Sequence, residues 1–215
     1  MNLLNSEVKI IKLTVGQMAT NCYLIYDNDN STLMIDPGAD ADSILTHIEK
    51  RKLNIRYIIN THGHYDHIGA NHIKNLLNNH VLLGIHKNDE EYLKNPELNL
   101  STLLGDGYVS DSPDFFLEDG QVIKVTEKII LSVIHTPGHT PGSVCLKLGN
   151  FLLSGDLLFC GGVGRTDIPG GNERLLYKSL YKISQLDKNM IVLPGHGPET
   201  TIGNEIETNP FLVFT

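Results

Sequence analysis

Four side chains that could bind a metal ion lie within six consecutive residues: His62, His64, Asp66 and His67. The segment reads His-Gly-His-Tyr-Asp-His and directly follows an apolar run at residues 57–59. Neutral imidazole is the commonest metal-binding side chain near neutral pH, and imidazole together with carboxylate suits zinc and related divalent ions. A polar loop that is rich in histidine by chance is the alternative. The density of ligands favours a metal site.

Three further candidate ligands follow other apolar runs, each close to a Gly or Pro: His139, Asp156 and His196. Short apolar runs that end in this way predict buried strands. Loops at strand ends are places where a rigid sheet can direct several ligands toward one point. Seven ligands exceed the four of one tetrahedral zinc ion, so the set predicts two metal ions that share a bridging carboxylate and a bridging water.

The order His-x-His-x-Asp-His, then His, Asp and His, resembles that of the metallo-β-lactamase-fold hydrolases over nearly the whole chain. The resemblance implies two sets of three ligands, one for each metal ion, which are His62, His64 and His139, and Asp66, His67 and His196. It also implies that Asp156 bridges the two ions. Asp36 matches a carboxylate that orients ligands in this family. Asp-Pro-Gly is also an ordinary turn sequence, so both roles of Asp36 stay open.

The chemistry expected of such a site is hydrolysis. Two zinc-like ions that share one water stabilise hydroxide over water and polarise a carbonyl group. An ester, thioester, amide or phosphodiester could be cleaved in this way without a serine or cysteine nucleophile. Asp66 would be both a ligand and a hydrogen-bonding partner of the hydroxide, which makes it the candidate catalytic residue. We expect two divalent ions as cofactors, zinc first, with iron and manganese as alternatives.

A carboxylate at the bridging position 156 narrows the resemblance to one group within this family. Together with segments 61–70 and 136–143 it resembles glyoxalase II, the hydroxyacylglutathione hydrolases, and segment 164–171 is similar to a short bacterial branch of that group. This resemblance implies a small-molecule substrate of the S-2-hydroxyacyl thioester type. Typical glyoxalase II has an added C-terminal helical region that binds glutathione, whereas only 19 residues follow position 196. The thiol carrier therefore stays open.

Arg165 is the candidate substrate-binding residue, because its planar fork suits a substrate carboxylate. It could instead pair with Asp167 or Glu173 and hold the loop. Cys160 lies four residues after Asp156 and could be near the metal ions. A packed core thiol is the favoured interpretation, because free cysteine is often fully buried.

Two other functions remain open. A persulfide dioxygenase resembles the same group and would use one iron ion held by His62, His64 and Asp156. A metal-binding protein without turnover would be expected to have lost a ligand, and all seven are present. We favour the hydrolase because the full set of ligands is best explained by two ions.

Composition sets broad limits. The length of 215 residues predicts one domain over 1–215, and the net charge of −8 disfavours a nucleic-acid binder. Three cysteines without a Cys-x-x-Cys pair favour a reducing compartment, with Cys22 and Cys145 buried. No signal peptide and no run of transmembrane length is found, so we predict a cytoplasmic protein without a membrane partner. The sequence does not indicate an oligomeric state.

The remaining pattern predicts the elements that position the ligands. Strands are predicted at residues 8–15, 22–26, 31–36, 55–60, 81–85, 121–125, 128–134, 143–148, 150–154 and 190–193. Helices are predicted at 41–53, capped by Asp40 or Asp42, from about 66 to 77, at 89–94 and at 172–186. Residues 86–113 are the least regular and predict a substrate-side insertion, and the tail 209–214 is expected to pack on the core. Periodicity supports a mixed α/β or α+β fold, and the resemblance implies a four-layer αββα sandwich.

Overall fold

Two six-stranded sheets form the centre of the computed structural model, which describes residues 7–77, 80–103, 105 and 107–212. The first sheet contains, in spatial and chain order, β1 (Val8–Val15), β2 (Thr20–Asp27), β3 (Ser31–Ile35), β4 (Asn54–Ile59), β5 (Leu82–His86) and β6 (Phe115–Leu117). The later strands are β7 (Val122–Lys124), β8 (Ile130–His135), β9 (Val144–Leu148), β10 (Phe151–Gly155), the small hairpin β11 (Leu158–Phe159) and β12 (Gly162–Val163), β13 (Ile191–Pro194) and β14 (Thr200–Thr201). The second sheet has the order β14-β13-β10-β9-β8-β7.

Parallel pairing places the ends of the strands that precede the candidate ligands on one rim. Strands β3 to β6 run parallel, as do β10 and β13, and the other pairs in both sheets are antiparallel. At this rim the sheets are joined by backbone hydrogen bonds from Val144 N to Thr61 O (2.9 Å) and from Asn21 N to Gly195 O (2.7 Å). Loops from both sheets therefore meet at one edge.

Alternation of side chains along the strands separates three apolar layers. Between the sheets, residues such as Ile25, Leu33 and Ile59 of the first sheet pack with Leu131 and Leu153 of the second. The outer face of each sheet is covered by helices, and adjacent residues in one strand point to opposite faces. The helices are α1 (Ala41–Arg51), α2 (Tyr65–Ile68), α3 (Ile73–Leu76), α4 (Glu173–Ser184) and α5 (Ile202–Thr208). The result is the αββα sandwich.

Both long helices form where they were predicted, with apolar residues buried at helical spacing, and Asp40, one of the two predicted caps, occupies the N-cap position of α1. Ile44 and Ile48 are buried on α1, and Leu176, Leu180 and Ile183 on α4. Asn172 caps α4 by accepting a hydrogen bond from the amide of Leu175.

Neither predicted residue makes a side-chain capping hydrogen bond to α1. Asp40 occupies the N-cap position in a left-handed conformation, makes no capping hydrogen bond, and accepts one from the amide of Gly16 (2.8 Å) instead. Asp42 lies inside the first turn of the helix.

The helix predicted from about 66 to 77 is divided into α2 and α3. The amide of Ala70 donates to the carbonyl of Pro37 (2.8 Å) and so leaves the helical ladder. A Cβ on Gly69 would lie 2.3 Å from the carbonyl oxygen of Gly38, which means that the two segments pack backbone against backbone. This tertiary contact outweighs the helical periodicity.

Residues 86–113 are irregular, as predicted, but the helix expected at 89–94 is two short 3-10 turns, Lys87–Asp89 and Glu91–Leu93. The sequence analysis missed β6, α5 and the hairpin of β11 and β12, because segments of two to seven residues show no full period. Among the described residues, no helix combines the length and the apolar character needed to cross a membrane.

The chain after α5 packs on the core, as predicted for the part that is described. Leu212 is buried, and residues 213–215 lie outside the described residues. Glu205 of α5 is buried and accepts hydrogen bonds from the amide of Gly161 (2.9 Å), the hydroxyl of Thr200 (2.6 Å) and the amide group of Asn209 (2.8 Å). Glu205 therefore joins the end of the chain to the β11–β12 hairpin.

We expect Glu205→Gln to lower the free energy of unfolding by about 1–3 kcal/mol at pH 7, because an amide cannot accept hydrogen bonds through both of its ends. Burial raises the pKa of Glu205, but the hydrogen bonds from Thr200, Gly161 and Asn209 bring it below its ordinary value of 4.5. A depressed pKa stabilises the fold above that value, and the stabilisation is lost as the pH falls through the folded-state pKa. The difference between variant and wild type in urea unfolding should therefore shrink in acid, and equal stability at pH 7 would contradict it.

Candidate metal centre

All seven candidate ligands converge at the rim where the two sheets meet. They come from four loops. His62, His64, Asp66 and His67 follow β4, and the other three lie on the loops after β8, β10 and β13, which carry His139, Asp156 and His196. Asp66 and His67 belong to the first turns of α2. Because the ligands stand at strand ends, the sheets fix their relative positions.

The first group consists of His62, His64 and His139, whose ligand atoms all lie within 4.8 Å of one another. The Nδ1 atom of His64 is 2.9 Å from the Nε2 atom of His139, and the ring centroids of His62 lie 4.8 Å from those of both other rings. All three side chains are buried. One ring nitrogen of each imidazole is therefore close to a common point.

The second group consists of Asp66, His67 and His196. The Oδ2 atom of Asp66 lies 3.1 Å from the Nε2 atom of His196 and 3.5 Å from the Nε2 atom of His67. The two Nε2 atoms are 3.3 Å apart. His67 is buried, and Asp66 and His196 are partly open to solvent.

Asp156 lies between the two groups. Its Oδ1 atom is 3.3 Å from the Nε2 atom of His67, and its Oδ2 atom is 3.6 Å from that of His139 and 3.5 Å from that of His196. A third group of close ligand atoms, His62, His67 and Asp156, overlaps both sets. One carboxylate therefore faces both candidate cation positions.

Three of the histidines use their outer ring nitrogen for a hydrogen bond to an oxygen. The Nδ1 atoms of His67, His139 and His196 lie 3.0 Å from Asp36 Oδ2, 2.8 Å from the carbonyl of Arg165 and 3.1 Å from the carbonyl of Met18, respectively. An oxygen acceptor places the proton on Nδ1 and leaves the lone pair on the inward Nε2 atom. This is the tautomer that a metal ligand requires.

The first group is electrically neutral. Burial lowers the pKa of His64 to about 3, and the neighbouring His139 adds to the effect. Burial and the adjacent His67 and His64 hold the pKa of His62 well below its ordinary value, and burial also lowers that of His139. These imidazoles cannot keep a proton near neutral pH, so their inward lone pairs are free for a cation.

The second group carries both signs of charge. Burial lowers the pKa of His196, but the hydrogen bonds that it donates to Asp156 and Asp66 raise it to about 9 overall. Burial also acts to lower the pKa of His67. The carboxylates of Asp66, Asp156 and Asp36 outweigh burial and raise this pKa well above its ordinary value. The pKa of Asp66 falls to about 2, since His67 and His196 outweigh the effect of burial. Two carboxylates thus draw positive charge to this end of the cluster.

Unpartnered buried atoms show that the residues present fit a cation. Among the described residues, the buried side-chain nitrogens or oxygens without a hydrogen-bond partner are His62 Nε2, His64 Nε2 and Asp156 Oδ1. Leaving such an atom unsatisfied costs about 1–3 kcal/mol. All three belong to the cluster, and imidazole with carboxylate is a donor set for zinc, iron or manganese.

Asp36 contacts this cluster directly. It is buried, has a φ of +50° and accepts hydrogen bonds from the amide and hydroxyl of Thr61 (both 2.7 Å). Its other contact is the ring of His67. A non-glycine residue with positive φ costs roughly 1–2 kcal/mol, which the surrounding hydrogen bonds must offset. Asp36 is therefore placed to orient the ring of His67, and it is not a turn residue alone.

The structure places Arg165 in the ion pair with Asp167 that was one of its two expected roles, and its role in substrate binding stays a prediction. Its Nε and Nη2 atoms donate to the carboxylate of Asp167 (2.8 Å each), and both side chains are exposed. Glu173 is not its partner in these hydrogen bonds. Cys160 is exposed, so its prediction as a packed core thiol was wrong. It lies in the turn of the small hairpin, whereas Cys22 and Cys145 are buried as predicted.

Sequence analysis missed three residues that complete the site. The hydroxyl of Thr20 donates to Asp66 Oδ2 (2.9 Å), and the buried Asn99 accepts a hydrogen bond from the amide of Tyr65 through its carbonyl (2.8 Å). Asp89 is buried between two ligand loops, and burial raises its pKa to about 6 although Thr140 and two backbone amides oppose the rise. None of the three stands in a motif, and their contacts are long-range.

A cavity of about 180 Å³ opens onto the cluster. Five of the seven candidate ligands line it, and its walls include the apolar side chains Met18, Leu100, Leu103 and Ile168 together with Arg165. Leu100 has a φ of +66° and follows Asn99, whose amide group donates to the carbonyls of Tyr92 and Tyr108. A buried polar residue thus holds a strained apolar residue against the cavity. Part of the irregular segment 86–113 therefore lines the cavity beside the cluster, and its role on the substrate side stays a prediction.

An αββα sandwich with histidines and aspartates gathered at one rim defines a class of metal-dependent proteins. The profile of the Metallo-beta-lactamase superfamily matches residues 15–196. The chain belongs to this superfamily and is a metallohydrolase of it.

The chain matches two relatives over almost their whole length. The chain is 37% identical over 205 residues to the probable metallo-hydrolase YqgX of Bacillus subtilis, covering 94% of this chain and 96% of YqgX. It is 34% identical over 215 residues to the hydroxyacylglutathione hydrolase GloC of Haemophilus influenzae, covering 96% of this chain and 98% of GloC.

Three solved structures are also similar. The B3 metallo-beta-lactamase BLEG-1 has a TM-score of 0.89 at 36% identity and covers 95% of this chain and 100% of its own. TTHA1623 in a di-iron-bound form has a TM-score of 0.82 at 33% identity, covering 94% and 100%. ETHE1 from Myxococcus xanthus has a TM-score of 0.75 at 26% identity, covering 94% and 83%.

Proposed function

We propose that the protein is a dinuclear metal-dependent thioesterase that hydrolyses small S-2-hydroxyacyl thioesters. Each triad of the cluster would hold one divalent cation, zinc first, with iron or manganese as alternatives, and Asp156 would be the ligand that both share. The observation that carries the proposal is the pair of triads around one carboxylate, with unpartnered atoms at their centre. The similarity to the hydroxyacylglutathione hydrolase GloC supports the reaction class.

Two bound divalent cations supply Lewis acidity, which polarises a carbonyl and makes a coordinated water acidic. The chain provides the remaining functions. Asp66 is ionised at neutral pH because its pKa is depressed, so it acts as a hydrogen-bond acceptor that orients the attacking water. The hydroxyl of Thr20 holds the carboxylate of Asp66 in place. The water oxygen attacks the thioester carbon, and the C–S bond breaks.

A thioester suits this site because the leaving group needs no proton donor. A thiol has a pKa of about 8.5, so the sulfur can leave as a thiolate. The acyl group would lie in the cavity lined by Leu100, Leu103 and Ile168. The thiol carrier would extend into an adjoining groove of about 410 Å³, which shares Met18, Tyr65 and Asp66 with the cavity.

The lining of this groove favours a small or uncharged thiol carrier. The other residues of the groove are Val15, Gly16, Gln17, Gly38, Ala39 and Asp40, which include no lysine or arginine. An anionic carrier such as glutathione would meet a carboxylate there and no cation. Arg165, although committed to Asp167, is the one cationic side chain that lines the cavity and remains the candidate partner of a substrate carboxylate.

A persulfide dioxygenase is the second candidate, supported by the similarity to ETHE1. It would need one iron ion at His62, His64 and Asp156. The triads that form among the described residues do not include that set. This observation favours the hydrolase.

The test combines metal analysis with two assays on one preparation. We expect two equivalents of divalent metal per chain and hydrolysis of S-lactoyl thioesters, measured as thiol release from several thiol carriers. One iron per chain with sulfite production coupled to oxygen uptake would establish the dioxygenase instead. Bound metal without either activity would indicate a binding protein.

The role of the apolar wall is tested by Leu100→Gly. Glycine adopts a positive φ without strain, so the backbone is preserved while the side chain is removed. Losing part of a leucine contact is expected to raise KM by about tenfold and change kcat by less than about threefold, because substrate and transition state lose the same contact. Leu76→Ala, which truncates an exposed leucine of α3, is the control. Unchanged KM in Leu100→Gly would exclude the wall from substrate binding.

A further inference from the structure

Asp89 is a buried carboxylate outside the seven candidate ligands. Its Oδ2 atom accepts a hydrogen bond from the amide of Gly63 (2.9 Å) and another from the hydroxyl of Thr140 (2.6 Å). Its Oδ1 atom accepts one from the amide of Gly142 (2.6 Å). All three donors are at least 26 residues away in the sequence, and all belong to loops that carry ligands.

Close packing makes this arrangement specific. A Cβ on Gly142 would lie 2.5 Å from Asp89 Oδ1, and a Cβ on Gly63 would lie 2.4 Å from the Cβ of Tyr92. Any other residue at either position would force the turn that carries Asp89 away from the loops. The loops and the turn therefore move as one unit.

The loops that Asp89 joins carry the histidines of one cation position. Gly63 lies between His62 and His64, and Thr140 directly follows His139. The carboxylate thus fixes the separation of the two backbone segments whose side chains meet at 2.9 Å, between His64 Nδ1 and His139 Nε2. A change at Asp89 alters this separation first.

We propose that Asp89 is the positioning residue of the cation position formed by His62, His64 and His139. Asp36 has the corresponding place on the other side of the cluster, where it contacts His67 and the preceding Thr61. Asp36 also reaches His62 through the hydroxyl of Thr61, which lies 3.2 Å from His62 Nδ1, whereas Asp89 accepts its hydrogen bonds from residues beside the histidines of the first triad. The inference rests on the proposed function only in requiring cations at the cluster, and it does not depend on the substrate.

The test measures zinc affinity in Asp89→Asn. The asparagine keeps the shape but presents an NH₂ group where one or two of the three donors need an acceptor. Protein freed of metal is titrated with zinc against a chromophoric chelator, and with cobalt to record the visible spectrum. We expect one of the two dissociation constants to weaken by about 10–100-fold and the other to change by less than about threefold.

The position is assigned by repeating the substitution in two backgrounds. His139→Ala removes a ligand of the first position, so Asp89→Asn should then have no further effect on the remaining cation. In His196→Ala, which damages the second position, the full effect of Asp89→Asn should persist. Glu205→Gln removes a buried, hydrogen-bonded carboxylate outside the cluster, and as the control it should leave both constants unchanged.

Asp89→Asn overturns the proposal if it leaves both constants unchanged or weakens both equally. Should Asp89→Asn fail to fold, Thr140→Val removes one of the three donors and is expected to weaken the same position by about 2–10-fold. A wild type that binds two cations but cleaves no thioester refutes the proposed function, and the Asp89 assignment is still decided by the affinities. A wild type that binds no cation overturns both.

Discussion

Replacing Asp156 with asparagine is expected to reduce kcat/KM for thioester hydrolysis by at least about a hundredfold and the metal content from two equivalents to one or none. Loss of a residue that merely orients a ligand costs about 10–100-fold, so loss of a shared ligand should cost more. Asparagine offers one neutral oxygen, whereas Asp156 presents two, of which Oδ1 lies near His67 of the second triad and Oδ2 lies near both His139 of the first and His196 of the second. The measurement is steady-state kinetics with metal analysis of the same sample.

The matched control for this substitution is Asp114→Asn. Asp114 is also a carboxylate held by a backbone amide, that of Leu83 (2.7 Å), and by Lys74 (2.6 Å), and it lies outside the cluster. Its substitution makes the same change in charge and should leave kcat/KM within about twofold, as is usual for surface positions. If Asp156→Asn kept two equivalents of metal and nearly full activity, the bridging role would be refuted.

Chelation is expected to abolish hydrolysis and to lower the Tm by about 5–10 °C. A ligand present at a hundred times its dissociation constant stabilises a fold by about 2.7 kcal/mol, and 1 kcal/mol corresponds to about 2–4 °C for a chain of this size. Readdition of zinc, manganese or ferrous iron in separate samples should restore both properties, and the ion that restores most activity identifies the working metal. Chelator already saturated with zinc is the control.

The loss of Tm on chelation should grow as the pH rises. In the metal-free protein the pKa of His196 is raised above its ordinary 6.5 to about 9, so the stability it contributes is present below pH 6.5 and lost as the pH passes 9. Cation binding becomes stronger as the pH rises over the same range, because it requires unprotonated imidazole. A Tm difference that shrinks from pH 6.5 to 9, or full activity after complete removal of metal, would contradict the two-cation proposal.

The convergence of the ligands could be predicted because each one occupies a strand end. The four ligands of residues 62–67 are contiguous, and Asp156 and His196 directly follow buried strands, so the sheets themselves determine where these side chains meet. The four layers were predicted from resemblance. The alternation of side chains gives the physical reason for these layers. Leu153 and Ile59 pack between the sheets, whereas their neighbours Leu152 and Ile58 pack under the helices on the outer faces.

The residues that hold the ligands could not be predicted, because their partners are distant in the sequence. Thr20 reaches Asp66 across 46 residues, and Asp89 reaches Gly142 across 53. The break between α2 and α3 has the same origin, since it depends on the packing of Gly38 against Gly69. Cys160 was misassigned because a hairpin with two-residue strands exposes what its neighbours in the sequence would bury.

Each triad draws two ligands from the loop after β4 and its third from a loop of the second sheet. Neither half of the chain contains a complete triad by itself, so each ion would link the two halves. A nascent chain could complete the second triad only after His196 had been synthesised. Acquisition of metal would then report that the whole sandwich has been assembled, and a protein released before that point would have no hydrolytic centre to misuse.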